Sequence, residues 1–375
     1  MNLSDICDVY SGYALKHFNN DNNGLPVIKI GNILTDGNLS LAECQYSEET
    51  VNEKYYSKYG DIYVALSGAT TGKIGIMQST QKHIINQRVG IVRRRDNNIP
   101  ESYIKYFLLH QTDRILEQAS GCAQPNISPK EIALYEIPNL DDATVSKIAT
   151  SLDKVTRIIT LRKKQLEQLD ELVKARFVEL FGDPETNTKN YKTVMLSEIA
   201  EYYNGLTYSP DNVSEDGTIV LRSSNIQNSQ LDFADTIRVD CTIKEKLYVR
   251  DNDILMCSRN GSARLVGKVA LIKNISEPMS FGAFMMIIRS AYYSYLMTYF
   301  QTDAFRRQIK TGATTTINQI TGNMLNKITL PLPEMSEIDD FANFVKEVDK
   351  SKFVVQKALD EAQTLFDSLM QEYFG

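Results

Sequence analysis

The chain has 375 residues, 42% of them apolar and 23% charged, with a formal net charge of −6. That is the balance of a soluble globular protein long enough for two or three domains. No apolar run reaches the roughly 18 residues of a membrane span, and the opening MNLSDICDVY lacks the basic-then-apolar pattern of a secretory leader, so the expected location is the cytoplasm.

The charge is unevenly spread. Residues 1–140, 141–180 and 181–333 carry net charges of −2, +1 and +1, and residues 334–375 carry −6. The large blocks are therefore near neutral, which leaves room for local basic faces. Cys7, Cys44, Cys122, Cys241 and Cys257 form no CxxC pair, a pattern that fits reduced thiols better than a disulfide framework. His17, His83 and His110 lie far apart, so no His-based metal site is expected.

Taken in chain order, the elements of the first half return in the second. LSDICDVYSG at 3–12 is answered by LSEIAEYYNG at 196–205, and VIKIGNI at 27–33 by VLRSSNI at 220–226, both at a shift of 193. GDIYVALSGATTGKIGIM at 60–77 corresponds to NDILMCSRNGSARLVGKVALI at 252–272, with three extra residues in the second loop. VIKIGNI, DIYVAL, VGIVRR, TIVLRS, DILMCS and FMMIIRS read as strands. Stretches 101–120 and 292–311 read as helices, followed by polar segments GCAQPNIS and GATTTINQ and the short runs LYEIPNL and ITLPLP. Each block is thus expected to be a mixed α/β globule with a curled sheet.

Each half closes on a seam. Apolar residues at Val145, Ile148, Leu152, Val155, Ile159, Leu166, Leu169, Val173 and Leu180 recur at steps of three and four, with Arg162 and Arg176 in two of the slots. The second copy runs Ile338, Phe341, Val345, Val348, Lys352, Val355, Leu359, Ala362, Phe366, Leu369 and Tyr373, each 193 beyond its partner. Five heptads of this spacing predict a coiled coil, about 54 Å long at about 1.5 Å per residue. The nearest partner for each seam is the other one, in antiparallel sense. FG ends both halves, at Phe181–Gly182 and Phe374–Gly375, and Gly commonly stops a helix.

GATTGK at 68–73 departs from a phosphate-binding loop: three residues separate the glycines and Ile74 follows the lysine, whereas that loop needs GxxxxGK followed by Ser or Thr. The element reads instead as a polar strand–turn–strand. Ser67, Thr70, Thr71 and Lys73 cluster in one copy, and Ser258, Arg259, Asn260, Ser262, Arg264 and Lys268 in the other. Arg can bond a guanine edge and Asn an adenine edge, while Lys and Ser hold phosphate. A matched frame around a loop of different length and charge is what two related modules reading different sequences would show. Gln87 and Arg88 beside Asn86, Arg93 with Arg94 and Arg95, Arg222, Asn225, Arg306 and Arg307 are further candidates; a solvated face is the competing reading for the arginine groups. The chain has no Pro-Pro pair, HExxH or GxSxG, so neither an amino-methyltransferase tetrad nor a hydrolase motif is present.

Together these features resemble the specificity subunit of type I restriction–modification systems over essentially the whole chain. The resemblance rests on the order and repetition of LSDICDVYSG and LSEIAEYYNG, GDIYVALSGATTGKIG, GATTTINQITGNMLNKITLPLP and the two seams ending in FG. It implies a mixed α/β fold with two similar target-recognition domains, related by pseudo-two-fold symmetry and separated by an antiparallel pair of long coiled-coil helices. The expected boundaries are 1–140 and 183–333 for the recognition domains and 141–182 and 334–375 for the helices. Each domain would read one half of a bipartite site in double-stranded DNA. The helices, through Leu152, Val155, Ile159, Leu166, Leu169, Val345, Val348, Val355, Leu359 and Phe366, would set the gap, and half-sites one turn apart lie about 34–36 Å from each other. Two modification subunits would supply S-adenosylmethionine chemistry and restriction subunits would add ATP and Mg²⁺ chemistry. No cofactor, metal or catalysis is expected in this chain. Its near-neutral domains depart from a strong phosphate grip, so the isolated chain is expected to bind DNA weakly. The competing function is a coiled-coil scaffold with two protein- or glycan-binding modules, kept open by Tyr55, Tyr56, Tyr59, Tyr202, Tyr203 and Tyr208.

Overall fold

The computed structural model describes residues 1–119, 125–311 and 318–375, and these form two compact units. Unit 1 comprises Met1–Lys164 with Val355–Gly375, and unit 2 is Gln165–Val354. Residues 120–124, Cys122 among them, and 312–317, which take in half of the polar segment 121–128 and most of 312–319, lie outside the described residues.

Unit 1 is built on a four-stranded antiparallel sheet in the order Cys7–Ser11, Val89–Arg94, Ile62–Ala65, Ile74–Ile76. A second sheet orders Gln45–Ser47, Leu25–Ile28 and Ile84–Ile85, the last pair parallel. Unit 2 repeats both. Its larger sheet runs Glu201–Asn204, Met285–Arg289, Ile254–Cys257, Val269–Leu271. Its smaller one runs Arg238–Val239, Val213–Leu221, Met279–Phe281, again with the last pair parallel. The strands Ile62–Ala65 and Ile254–Cys257 are buried throughout, as unbroken apolar runs in central strands should be.

The paired decapeptides have a packing reason. Leu3 and Leu196 each open a short helix, Leu3–Ile6 and Leu196–Ile199, and both are fully buried. Gly12 and Gly205 end the motifs where backbone passes backbone. A Cβ on Gly12 would lie 2.4 Å from the Asn86 carbonyl oxygen, and one on Gly205 2.1 Å from that of Gly282.

Three expectations are corrected. VIKIGNI is strand only at its start, because Ile30–Asn32 is a 3-10 turn. The stretch 101–120 is two helices, Glu101–His110 and Thr112–Ala119, and 292–311 is likewise Tyr293–Tyr299 and Asp303–Thr311. Both breaks fall at a Gln-Thr-Asp triplet, 111–113 and 301–303. The threonine hydroxyl donates to the carbonyl three residues back, Thr112 to Leu109 at 2.8 Å and Thr302 to Tyr299 at 2.7 Å, and a side chain that takes over a backbone acceptor in this way competes with helix continuation.

Each seamed segment forms a 40-residue helix, Asp142–Phe181 and Met335–Phe374. Within unit 1, Val155 and Ile159 of the first pack with Leu359, Ala362, Phe366 and Leu369 of the second. Within unit 2, Phe177 and Phe181 meet Phe341 at ring separations of 5.7 and 5.4 Å. Earlier residues of the first helix meet later residues of the second, and later residues of the first meet earlier residues of the second, the antiparallel order expected of the two seams. Every seam position is buried or half-buried, while Ile158, Leu161, Phe353, Val354 and Leu365 stay exposed on the outer face. The globular blocks share these cores: Tyr103, Tyr106 and Phe107 lie against Phe366 and Phe374, and Tyr295 stacks on Phe177 at 5.2 Å. A helix packing on its own domain and a helix packing on its partner are therefore not alternatives here.

Candidate nucleic-acid interface

The variable loop sits inside a hydrogen-bond frame that is the same in both units. In unit 1 the Ala65 N–H donates to the Lys73 carbonyl, the Gly72 N–H to Ala65 and the Lys73 N–H to Thr70. In unit 2 the corresponding bonds run from Cys257 to Lys268, Gly267 to Cys257 and Lys268 to Leu265. The loop floor is also shared: Leu66 accepts from Ile127, and Ser258 from Ile320. The three extra residues of unit 2 are thus confined between the frame bonds. The GATTGK loop joins two antiparallel strands through the 3-10 turn Gly68–Thr70, so its amides do not open a helix toward a phosphate as a nucleotide-binding loop requires.

A second turn packs beside each loop. The Val89 N–H donates to the Asn86 carbonyl and the Leu66 N–H to Arg88; in unit 2, Met285 donates to Gly282 and Ser258 to Phe284. Residues 86–88 and 282–284 are therefore equivalent, with Gln87 and Arg88 holding the positions that Ala283 and Phe284 hold in unit 2. All four are exposed.

The proposed contact residues divide by what their side chains already hold. Gln87, Arg88, Arg259, Ser262 and Arg264 are exposed, and Lys73, Ser67, Thr70 and Asn260 are half-buried. Asn260 Nδ2 donates to Ser223 Oγ at 3.3 Å and its Oδ1 receives the Ser262 N–H at 3.0 Å, which shapes the loop from within.

The other proposed residues hold contacts within the fold or are buried. The Arg93 guanidinium donates to both oxygens of the buried Asp61, at 2.7 and 2.6 Å, and to the Tyr56 carbonyl at 2.8 Å. Arg289 repeats this on Asp253, at 2.7 Å through each nitrogen, and the bonded carboxylate raises the pKa of that guanidinium. Asn225 is buried; its Oδ1 accepts from the Arg222 N–H at 2.8 Å and its Nδ2 donates to the Asp232 and Asp235 carbonyls. Asn32 does the same work in unit 1, accepting from Lys29 and donating to Ser40. Thr71 is buried with its hydroxyl on Gly68, Ser258 is buried, and Lys268 Nζ is held by the Ile226 carbonyl at 2.6 Å. Arg222 pairs with Asp235, Arg94 with Glu101, Arg95 with Asp8 and Arg307 with Glu185, while Arg306 donates to the Val266 carbonyl.

Compared with known proteins, the chain matches the type I restriction modification DNA specificity domain twice, over residues 1–171 and 188–362. The chain belongs to that family. The specificity subunit of the type I restriction enzyme EcoKI from Escherichia coli K12 is 23% identical over 92% of this chain and 80% of its own. That of MjaVIII from Methanocaldococcus jannaschii is 20% identical over 85% and 79%. The fold matches a type I restriction–modification S subunit from M. genitalium with a TM-score of 0.58 at 15% identity, covering 100% of this chain and 95% of that one. It also matches a structure from work on assembly and conformational transition of the type I R-M system, at a TM-score of 0.55, 15% identity, and coverage of 100% and 96%.

As a specificity subunit the chain is a non-catalytic, DNA-recognising component of a restriction–modification complex. The scaffold with protein- or glycan-binding modules is not favoured, and of its six tyrosines only Tyr59 is exposed. No helix among the described residues is long and apolar enough to cross a membrane, and no group of three or more His, Cys, Asp or Glu among them is arranged to hold a metal ion. Phe284 escaped the sequence reading. Carrying the repeat through NQRVGIVR and GAFMMIIR, at a shift of 196, would have set it opposite Arg88.

Proposed function

We propose that residues 1–140 and 183–333 are two target-recognition domains, each reading one half of a bipartite site in double-stranded DNA. The observation that carries this is the shared hydrogen-bond frame around loops 66–73 and 258–268, which differ in length and in charge. Within those loops and the adjoining turns, Lys73, Gln87 and Arg88 in one domain and Arg259, Asn260, Ser262 and Arg264 in the other are the contact residues. Ser67 and Thr70 line the first loop. Base edges select through such donors, while phosphate contacts position.

The helices 141–182 and 334–375 set the gap between half-sites, and Leu152, Val155, Ile159, Leu166, Leu169, Val345, Val348, Val355, Leu359 and Phe366 are the seam that keeps it. Two modification subunits bind this chain and bring S-adenosylmethionine; restriction subunits bring ATP and Mg²⁺. The site of action is the cytoplasm.

The test is methylome sequencing of a host carrying the modification subunits with and without this chain. One bipartite motif should depend on the chain, and exchanging residues 1–140 for another such block should alter one half-site only. A change in both half-sites, or in neither, would overturn the assignment.

A further inference from the structure

Phe284 is the unusual residue of the interface. It stands 59% exposed on the turn after the Met279–Phe281 strand, forgoing the stabilisation that burying such a ring returns. Its backbone is pinned, since its carbonyl accepts from both Ser258 and Arg259, at 2.9 and 3.1 Å. The Arg259 guanidinium lies over the ring, 5.4 Å from its centroid. Arg259 has no acidic partner among the described residues.

A guanidinium over an aromatic face gains a cation–π contact and keeps its in-plane N–H donors free. Those donors match the O6 and N7 acceptors of guanine, and a phenyl ring matches the thymine methyl. The equivalent turn of unit 1 carries Gln87 and Arg88, a neutral amide and a cation that lies over no aromatic ring among the described residues.

Resting on the DNA-reading assignment above, we infer that the turn positions 87–88 and 283–284 determine specificity, and that Phe284 reads a base edge together with the Arg259 it carries. Unit 2 therefore offers an apolar face plus an oriented arginine, where unit 1 offers the amide of Gln87 and the guanidinium of Arg88.

The experiment uses the full chain co-expressed with its modification subunits, with the methylated motif and co-purification of the subunits as readouts. F284L keeps apolar bulk at an exposed position and removes the ring; R259Q removes the cation; R88Q tests the other turn. F284L and R259Q should each lower discrimination tenfold or more at one base pair of the same half-site, and R88Q should do so in the other half-site. An F284L complex with unchanged discrimination would overturn the inference. So would an F284L chain that no longer co-purifies with the modification subunits, which would assign the ring to a protein interface. If the unaltered chain directs no bipartite motif at all, it is the DNA-reading assignment that falls.

Discussion

Arg93 grips Asp61 through two nitrogens at 2.7 and 2.6 Å, with the carboxylate 1% exposed. Arg289 and Asp253 make the same pair in unit 2. An arginine in a basic run thus serves to tie a central strand to the turn that precedes its neighbour. Removing one partner leaves an uncompensated buried charge, at a cost of about 3–5 kcal/mol. R93A and D61A should each lower the Tm sharply, with the pair replacement R93M/D61L milder than either. The sequence methylated by whatever folds should stay the same; an altered half-site with R93A would return Arg93 to the contact set.

The exposed arginines should behave in the opposite way. Arg88, Arg259 and Arg264 have no acidic partner among the described residues. Replacing Arg264 by Ala should change stability by no more than about 0.5 kcal/mol. It should weaken DNA binding by the assembled complex and, where the contact is to phosphate, reduce the salt slope by about one. A salt titration of R264A against the unaltered complex measures this.

The seam of unit 1 is tested by Leu152, which is fully buried in the core that unites the globular block with both helices. L152A should cost about 2–5 kcal/mol, read as the denaturant midpoint. At the half-buried Leu166 of unit 2, Ala should cost distinctly less, because fewer neighbours lose contact.

Gly12 should tolerate no side chain. A Cβ there would sit 2.4 Å from the Ile85 and Asn86 carbonyl oxygens, both of them backbone in the turn that carries Gln87 and Arg88. G12A should lower stability and disturb the unit 1 half-site together. G31A, where a Cβ meets nothing within 4 Å, is the control and should do neither.

His83 gives a pH dependence of known sign. Burial pushes its pKa below the usual value near 6.5, partly offset by the bond between Nδ1 and the Gln81 carbonyl. The unfolded chain then binds a proton more readily than the folded one, so this contribution to stability is full above about pH 6.5 and declines as pH falls below it. Thermal melts of H83N across pH 5–8 should show a flatter acid limb than the unaltered protein. An equal slope would mean His83 is not the group that titrates.

Much of the fold was legible because it is written in one dimension. Internal repetition marked two equivalent units, a three-and-four spacing marked two long helices, and apolar runs such as DIYVAL and DILMCS marked central strands. Each of these depends on residues close in sequence, or on matching one stretch with another. Local exceptions, such as the helix breaks at Gln-Thr-Asp, escaped because a single side-chain bond outweighs the surrounding helical pattern. What only tertiary structure decided is which polar residues are free. Arg88 and Arg93 stand five residues apart with the same chemistry, yet one is exposed and the other is held by a carboxylate 32 residues away. Asn225 looks like a base reader until its buried amide is seen holding two carbonyls. The division of each helix between two units is of the same kind, since it depends on which core covers each stretch of the seam. Availability of a side chain is a property of its neighbours in space, and those neighbours come from distant parts of the chain.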